Sequence, residues 1–390
     1  MKRSRHCFLA IAYLFGMVWR GVVGAVEVNS EHAVLVDCDT GNSLYEKRAD
    51  DIVAPSSTTK IMTAYVIFEM LNAGLFSLDS KFKVSIRAWR QDGTRMFLEP
   101  EWKVSVDELL QGTIVASGND AAVVLAEGSL GNIGSFVEKM NETAKGLGMT
   151  NTHFDNPTGL YEKTHYMSAR DLATLSRALI EEYENYYSRY FSQQSFTFNG
   201  IAQKNRNSLL GEYTGVDGVK TGHTDQGKYT IVVSATRNGK RLIAVLAKAE
   251  TEKDRTADAK TLLDYGFSQY NYLELFKKGE VIKIIDTFFS NSRRVKIYTN
   301  RDINYAVNKA ETDALKVQLV YDRYIFRHIN RNDVIAQLII EDGNLVSKYD
   351  LYAENGIRKL GRFGLFFSLL RYNFRKLFSL FRHENSKVLE

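Results

Sequence analysis

Strand signals stand near both ends of the first 270 residues, and helical ones fill the space between. Ala33-Val34-Leu35-Val36 and Leu44-Tyr45 read as two strands joined by the turn Asp37-Cys38-Asp39-Thr40-Gly41-Asn42. Tyr229 to Thr236 and Arg241 to Ala247 read as two more, around the two-residue turn Asn238-Gly239. From Ser105 to Leu130 the spacing is helical, with Val106, Leu109, Leu110, Ile114 and Val115 apolar. It breaks at Ser117-Gly118-Asn119 and resumes with Ala121 to Leu125. Ser168 caps a further helix from Ala169 to Ile180, and Thr256 to Tyr265 forms another that Gly266 ends. This order predicts an α+β fold: an antiparallel sheet with a helical cluster, in which the first and last strands share one sheet.

Within that frame, Ala54-Pro55-Ser56-Ser57-Thr58-Thr59-Lys60-Ile61-Met62-Thr63 carries the chemistry. Apolar residues follow at helical spacing (Ile61, Met62, Ala64, Tyr65, Ile67, Phe68, Leu71), so Ser57 should sit at the first turn of a helix with a buried face. Lys60 is three residues on and falls on the same side. A free serine hydroxyl is too basic to attack an amide. A lysine desolvated in a pocket has its pKa lowered enough to take that proton. Backbone N–H groups at a helix start can face a developing oxyanion. Alone the pattern is weak: Ser80-Lys81-Phe82-Lys83 repeats it in a polar stretch where no function is expected.

The flanks suggest delivery. Lys2, Arg3 and Arg5 precede an apolar run from Cys7 to Trp19, and Val23-Gly24-Ala25 offers small residues for cleavage, so 1–25 reads as an export signal. Cys38 is then the one remaining cysteine, expected to be buried and structural. The net charge of +5 includes four basic residues of that leader. Seven more (Arg358, Lys359, Arg362, Arg371, Arg375, Lys376, Arg382) lie in 357–383 with no acid, which leaves the rest of the chain net acidic. Nucleic acid is a poor partner for such a body. In the tail, Phe363, Phe366, Leu370, Phe374, Leu377 and Phe381 form one aromatic stripe. An amphipathic helix lying in a membrane interface fits both features, with an intramolecular or protein-docked helix as the alternative. Between about Phe276 and the tail, short alternating runs (Val281–Ile285, Val295–Tyr298, Leu315–Val320, Val334–Ile340) and an Asp342-Gly343 turn predict a small all-β domain at 275–353.

Three motifs then occur in order: Ser57-x-x-Lys60, Ser117-Gly118-Asn119 and Lys220-Thr221-Gly222, separated by 60 and 103 residues, with a strand after the third. The chain resembles the penicillin-recognising serine enzymes, and within them the D-alanyl-D-alanine carboxypeptidases of low molecular mass. Further matches are Asn156-Pro157-Thr158-Gly159-Leu160, Asn205-Arg206-Asn207-Ser208-Leu209-Leu210 and Val216-Asp217-Gly218-Val219-Lys220-Thr221-Gly222-His223-Thr224. The resemblance implies a transpeptidase/β-lactamase-like catalytic domain at 26–270, with the β-domain and amphipathic anchor behind it. Its substrate would be the peptidoglycan stem peptide, β-lactams would bind covalently, no metal or cofactor would be needed, and the location would be the periplasmic face of the inner membrane. Ser57 would be the nucleophile, Lys60 the base and Ser117 the proton relay to the leaving amine. Asn119 would grip the substrate amide, and Lys220 would hold the Lys60 pKa down and draw the anionic end of the substrate. The oxyanion hole would use the backbone of Ser57 and His223, with the His223 imidazole merely packed or solvated. Arg206 and Arg255 fall where family arginines serve the terminal carboxylate, with Thr221 sharing the contact.

Two other activities stay open. A DD-endopeptidase would cut crosslinks instead of stem termini. A class A β-lactamase shares the motif order but needs an Asp where this chain has Gly118, and a deacylating carboxylate. Glu181-x-x-x-Asn185 mimics that pattern too far downstream. A non-catalytic envelope-binding protein would be expected to lack a motif residue.

Overall fold

The computed structural model describes residues 10–12, 26–287, 292, 294–308, 315–322, 328–342 and 345–358. The chain divides into two units that adjoin in sequence at Gln269 and Tyr270.

In the first unit, β1 (His32–Asp37) and β2 (Ser43–Lys47) form the expected hairpin. Strands β3 (Val216–Thr224), β4 (Lys228–Arg237) and β5 (Lys240–Ala249) form a meander. The sheet order is β3-β4-β5-β1-β2, antiparallel throughout, so the N-terminal hairpin does pair with the last strand, Val34 opposite Val245. β3 is an edge strand.

The helices are α1 (Lys60–Asn72), α2 (Val106–Ile114), α3 (Asn119–Leu130), α4 (Ile133–Gly146), α5 (Ala169–Glu182) and α6 (Glu252–Gln269), besides two short ones. Ser105 starts α2 with a full capping box to Glu108, and the Ser168 hydroxyl accepts from the Asp171 amide to cap α5. Two expectations need correction. α1 is buried on nearly every side, Glu69 and Asn72 excepted, because it runs through the core instead of lying on it. Gly266 lies inside α6 and does not end it. A Cβ there would stand 2.6 Å from Leu242 Cδ1 and 2.8 Å from Leu35 Cδ2, so the glycine lets helix and sheet approach.

The second unit is all-β among its described residues. Strands β6 (Tyr270–Phe276) and β9 (Ile303–Asn308) pair with each other. Strands β7 (Val281–Asp286), β8 (Arg294–Tyr298), β10 (Lys316–Tyr321), β11 (Val334–Asp342) and β12 (Leu345–Ala353) form the larger sheet. Ile285, Val295, Ile297, Tyr305, Leu338, Ile340 and Leu351 make its core. Ala10–Ala12 adds a short edge strand beside β10, and the rest of the expected export signal lies outside the described residues. Ile357 is buried and bridges to Ile329; residues 359–390, which hold nearly all of the expected amphipathic helix, lie outside the described residues. No helix among the described residues is long and apolar enough to cross a membrane.

Candidate active site

Ser57 sits on a 3₁₀ turn, Ser56–Thr59, which runs into α1 at Lys60. The tighter winding eclipses positions i and i+3, which serves the serine–lysine pair better than the α-turn expected from spacing. Lys60 is fully buried, and its Nζ lies 3.1 Å from Ser57 Oγ, 2.6 Å from Asn119 Oδ1 and 2.7 Å from the Thr158 carbonyl. Burial and the positive charges of Lys220 and Arg206 hold its pKa well below the ordinary lysine value, with Asp120 opposing. A neutral amine has two N–H groups and one lone pair. With the two carbonyl oxygens as acceptors, the lone pair is left for the Ser57 hydroxyl.

The break between α2 and α3 brings Ser117 and Asn119 to the cleft. Ser117 is buried with φ of 60°, and its carbonyl accepts from Thr94 Oγ1 at 2.5 Å. A side chain in the left-handed region without glycine is a strained arrangement that neighbours must hold. Asp120 does the holding: its carboxylate accepts from the amides of Met96, Leu98 and Ala121, which fixes the loop carrying Gly93 and Thr94 over the cleft. Asn119 differs from expectation. Its amide N donates to the Asp92 carbonyl at 2.6 Å while Oδ1 takes the lysine, so in this structure both ends of its side chain engage protein groups.

β3 supplies the third side. Lys220 and Thr221 are buried, and burial together with Arg206 and Arg255 brings the Lys220 pKa down to about 7. Gly222 passes close to the nucleophile turn: a Cβ there would lie 3.0 Å from the Pro55 carbonyl and 3.2 Å from the Ser57 amide N. Ser56, at φ of 51°, bonds through Oγ to Thr224 Oγ1 at 2.8 Å, latching nucleophile turn and strand together. The His223 ring is exposed and packs on Tyr229, their centroids 4.1 Å apart. Arg255, near the start of α6, is buried with Nη1 on the Gly222 and Thr230 carbonyls. Arg206 is exposed at the cleft wall.

All nine expected site residues therefore converge, with Ser57, Ser117, Asn119, Arg206, Thr221, His223 and Arg255 lining one cleft of about 660 Å³ and Lys60 and Lys220 beneath it. Sequence reasoning missed the Thr158 carbonyl, the Ser56–Thr224 latch, Asp120, Tyr229 and Glu252. The Asn156–Leu160 turn carried a signal for the first: Asn156 Oδ1 accepts from the Thr158 and Gly159 amides, and a Cβ on Gly159 (φ +82°) would lie 1.8 Å from the Ser56 carbonyl.

Other expectations are settled by position. The second Ser-x-x-Lys lies away from the cleft: Ser80 Oγ accepts from the Ser77 amide, and Lys83 pairs with Glu101. Gly118 has no room for an aspartate, since even a Cβ would stand 2.9 Å from Asp120 Oδ1. Glu181 pairs with Arg177 one turn back on α5 and does not line the cleft.

A family model described as D-alanyl-D-alanine carboxypeptidase matches residues 21–251. A second, described as penicillin-binding protein 5, C-terminal domain, matches 270–359. The D-alanyl-D-alanine carboxypeptidase DacF of Bacillus subtilis is 35% identical over 338 residues, covering 85% of this chain and 87% of that one. The crystal structure of penicillin binding protein 5 from Haemophilus influenzae aligns with a TM-score of 0.77 at 32% identity, over 87% of this chain and 100% of that one. Penicillin-binding protein D2 of Listeria monocytogenes, solved in its ampicillin-bound form, aligns at 0.58 and 30% identity over 63% of this chain and 100% of its own. The first match spans more than half of the sequence and contains all three motifs that meet in the cleft: the chain belongs to the D-alanyl-D-alanine carboxypeptidase family.

Proposed function

We propose that this protein is a serine-type D-Ala-D-Ala carboxypeptidase that removes the terminal D-alanine of peptidoglycan stem pentapeptides through an acyl-enzyme on Ser57. The observation that carries the reading is the buried Lys60 amine, 3.1 Å from Ser57 Oγ with two carbonyl oxygens on its other side. Ser57 Oγ attacks the carbonyl carbon between the two D-alanines as its proton passes to Lys60 Nζ. Backbone N–H groups of Ser57 and His223 receive the oxyanion. The C–N bond then breaks, the leaving amine takes its proton by way of Ser117, and D-alanine departs. Water attacks the ester with Lys60 again accepting a proton, which frees Ser57 and the shortened peptide.

The substrate backbone adds to the free edge of β3, which places its C-terminal carboxylate by Thr221, Arg206 and Arg255. β-Lactams acylate Ser57 by opening their ring amide, a reading the ampicillin-bound relative supports. Residues 1–25 direct export, and the stripe and charges of 357–383 hold the enzyme on the outer leaflet of the cytoplasmic membrane, as a peripheral anchor.

The test is covalent labelling by a fluorescent penicillin. Ser57→Ala abolishes the labelled band and Ser80→Ala leaves it; a band that survives the first change removes the nucleophile assignment. Incubation with a pentapeptide stem and with a crosslinked dimer separates the activities, and free D-alanine from the stem is the expected product.

A further inference from the structure

Among the described residues that line the cleft, Glu252 is the one carboxylate. It stands against the guanidinium that the proposed reading gives to the substrate terminus, its Oε1 accepting from Arg255 Nη2 at 2.5 Å. Other contacts also hold Arg255 in place. Its side chain is 5% exposed, Nη1 reaches the Gly222 and Thr230 carbonyls, and the guanidinium lies 5.5 Å over the Tyr229 ring. Glu252 is the opposite case: it is the first residue of α6, and its side chain is 59% exposed.

An anion entering the cleft thus meets a guanidinium already engaged on one side. A second carboxylate must share or displace the first, and two like charges beside one cation repel. We propose that Glu252 is a specificity-determining residue, a resident carboxylate that moderates how strongly the cleft prefers a C-terminal carboxylate over a neutral terminus. The inference rests on the carboxypeptidase reading of the cleft. It gives a reason for an acid in a site built of cations. Arg206 and Arg255 together would hold the carboxylate of the released D-alanine as firmly as that of the substrate, and a product held that firmly leaves slowly. Glu252 loosens that grip.

The experiment uses the full chain and two synthetic peptides ending in D-Ala-D-Ala, one with a free carboxylate and one amidated. Glu252→Gln keeps the shape and the acceptor while removing the charge. The ratio of kcat/KM for carboxylate over amide rises about fivefold in Glu252→Gln at low salt, and the gain shrinks at about 0.5 M NaCl. Inhibition by free D-alanine strengthens by a similar factor, and Glu252→Asp, which keeps the charge, stays near the parent ratio. A structural role alone would move both peptides together. An unchanged or lowered ratio in an active Glu252→Gln enzyme overturns the Glu252 inference by itself. A parent enzyme that cleaves neither peptide and takes no penicillin label overturns the carboxypeptidase reading beneath it.

Discussion

The charges around Lys60, from Lys220, Arg206 and Asp120, decide whether Ser57 can react, because Lys60 is a base only in its neutral form. Arg206 contributes to that state from the cleft wall, and a positive neighbour lowers an amine pKa. Arg206→Gln therefore raises the Lys60 pKa, so the limb of the kcat/KM profile on which the base loses its proton moves to higher pH. Salt weakens the difference, since Arg206 is exposed. A limb that stays put or moves down would show that Arg206 does not act on the base. Lys220 offers a second test, in stability. In the unfolded chain it keeps its proton to about pH 10.4, whereas in the fold it yields it from about 7. Between those values the unfolded state binds more protons, so stability rises with pH across the window and the penalty is full below about pH 7. Lys220→Met removes that penalty. The variant should gain on the order of a few kcal/mol at about pH 6, lose the gain toward pH 10, and lose acylation at both. Melting curves at the two pH values check it; a parent that is the more stable at about pH 6 contradicts it.

At the level of elements, the site depends on how closely an edge strand passes a 3₁₀ turn. Gly222 sets that distance, since any Cβ there meets the Pro55 carbonyl and the Ser57 amide. Gly222→Ala should displace β3 by a few tenths of an ångström and slow penicillin acylation by roughly 10–100-fold. The melting temperature should change far less, because the change touches no core contact of the sheet; equal losses in both would mean that the glycine serves the fold. The sequence made the elements legible where local rules suffice, as in the Asn238-Gly239 hairpin and the Ser105 and Ser168 caps. α4 carries local signals of the same kind: Asn132 caps it, and Phe136, Met140 and Ala144 repeat at four-residue steps. Long-range partners were not legible. Gly266 reads as a stop signal until Leu35 and Leu242 are found against it. The third neighbour of Lys60 is a main-chain carbonyl 98 residues away, which no side-chain motif displays. Asn119 lines the cleft, but its engagement of Lys60 and Asp92 depends on a loop fixed by Asp120, which no local motif displays.

On the proposed reading, catalysis and membrane anchoring fall on separate stretches, and the place to cut between them is fixed by one residue. Ile357 is fully buried in the core of the second unit, with its amide and carbonyl bonded to Ile329 at 2.7 and 3.0 Å. Ending the chain after Glu354 would remove it, exposing apolar surface and costing that unit about 2–4 kcal/mol. Ending it after Arg358 keeps the bridge and discards the phenylalanine stripe together with Lys359, Arg362, Arg371, Arg375, Lys376 and Arg382. If those residues form the anchor, the chain ending at Arg358 retains penicillin labelling and thermal stability and moves from vesicles of anionic lipid to the supernatant. The parent enzyme on the same vesicles should loosen only partly at high salt, because salt screens the basic residues and leaves the aromatic insertion in place. The chain ending at Glu354 separates loss of anchoring from loss of folding, since it alone should melt lower. Sedimentation of the Arg358-ended enzyme with the vesicles would place the membrane attachment elsewhere in the chain.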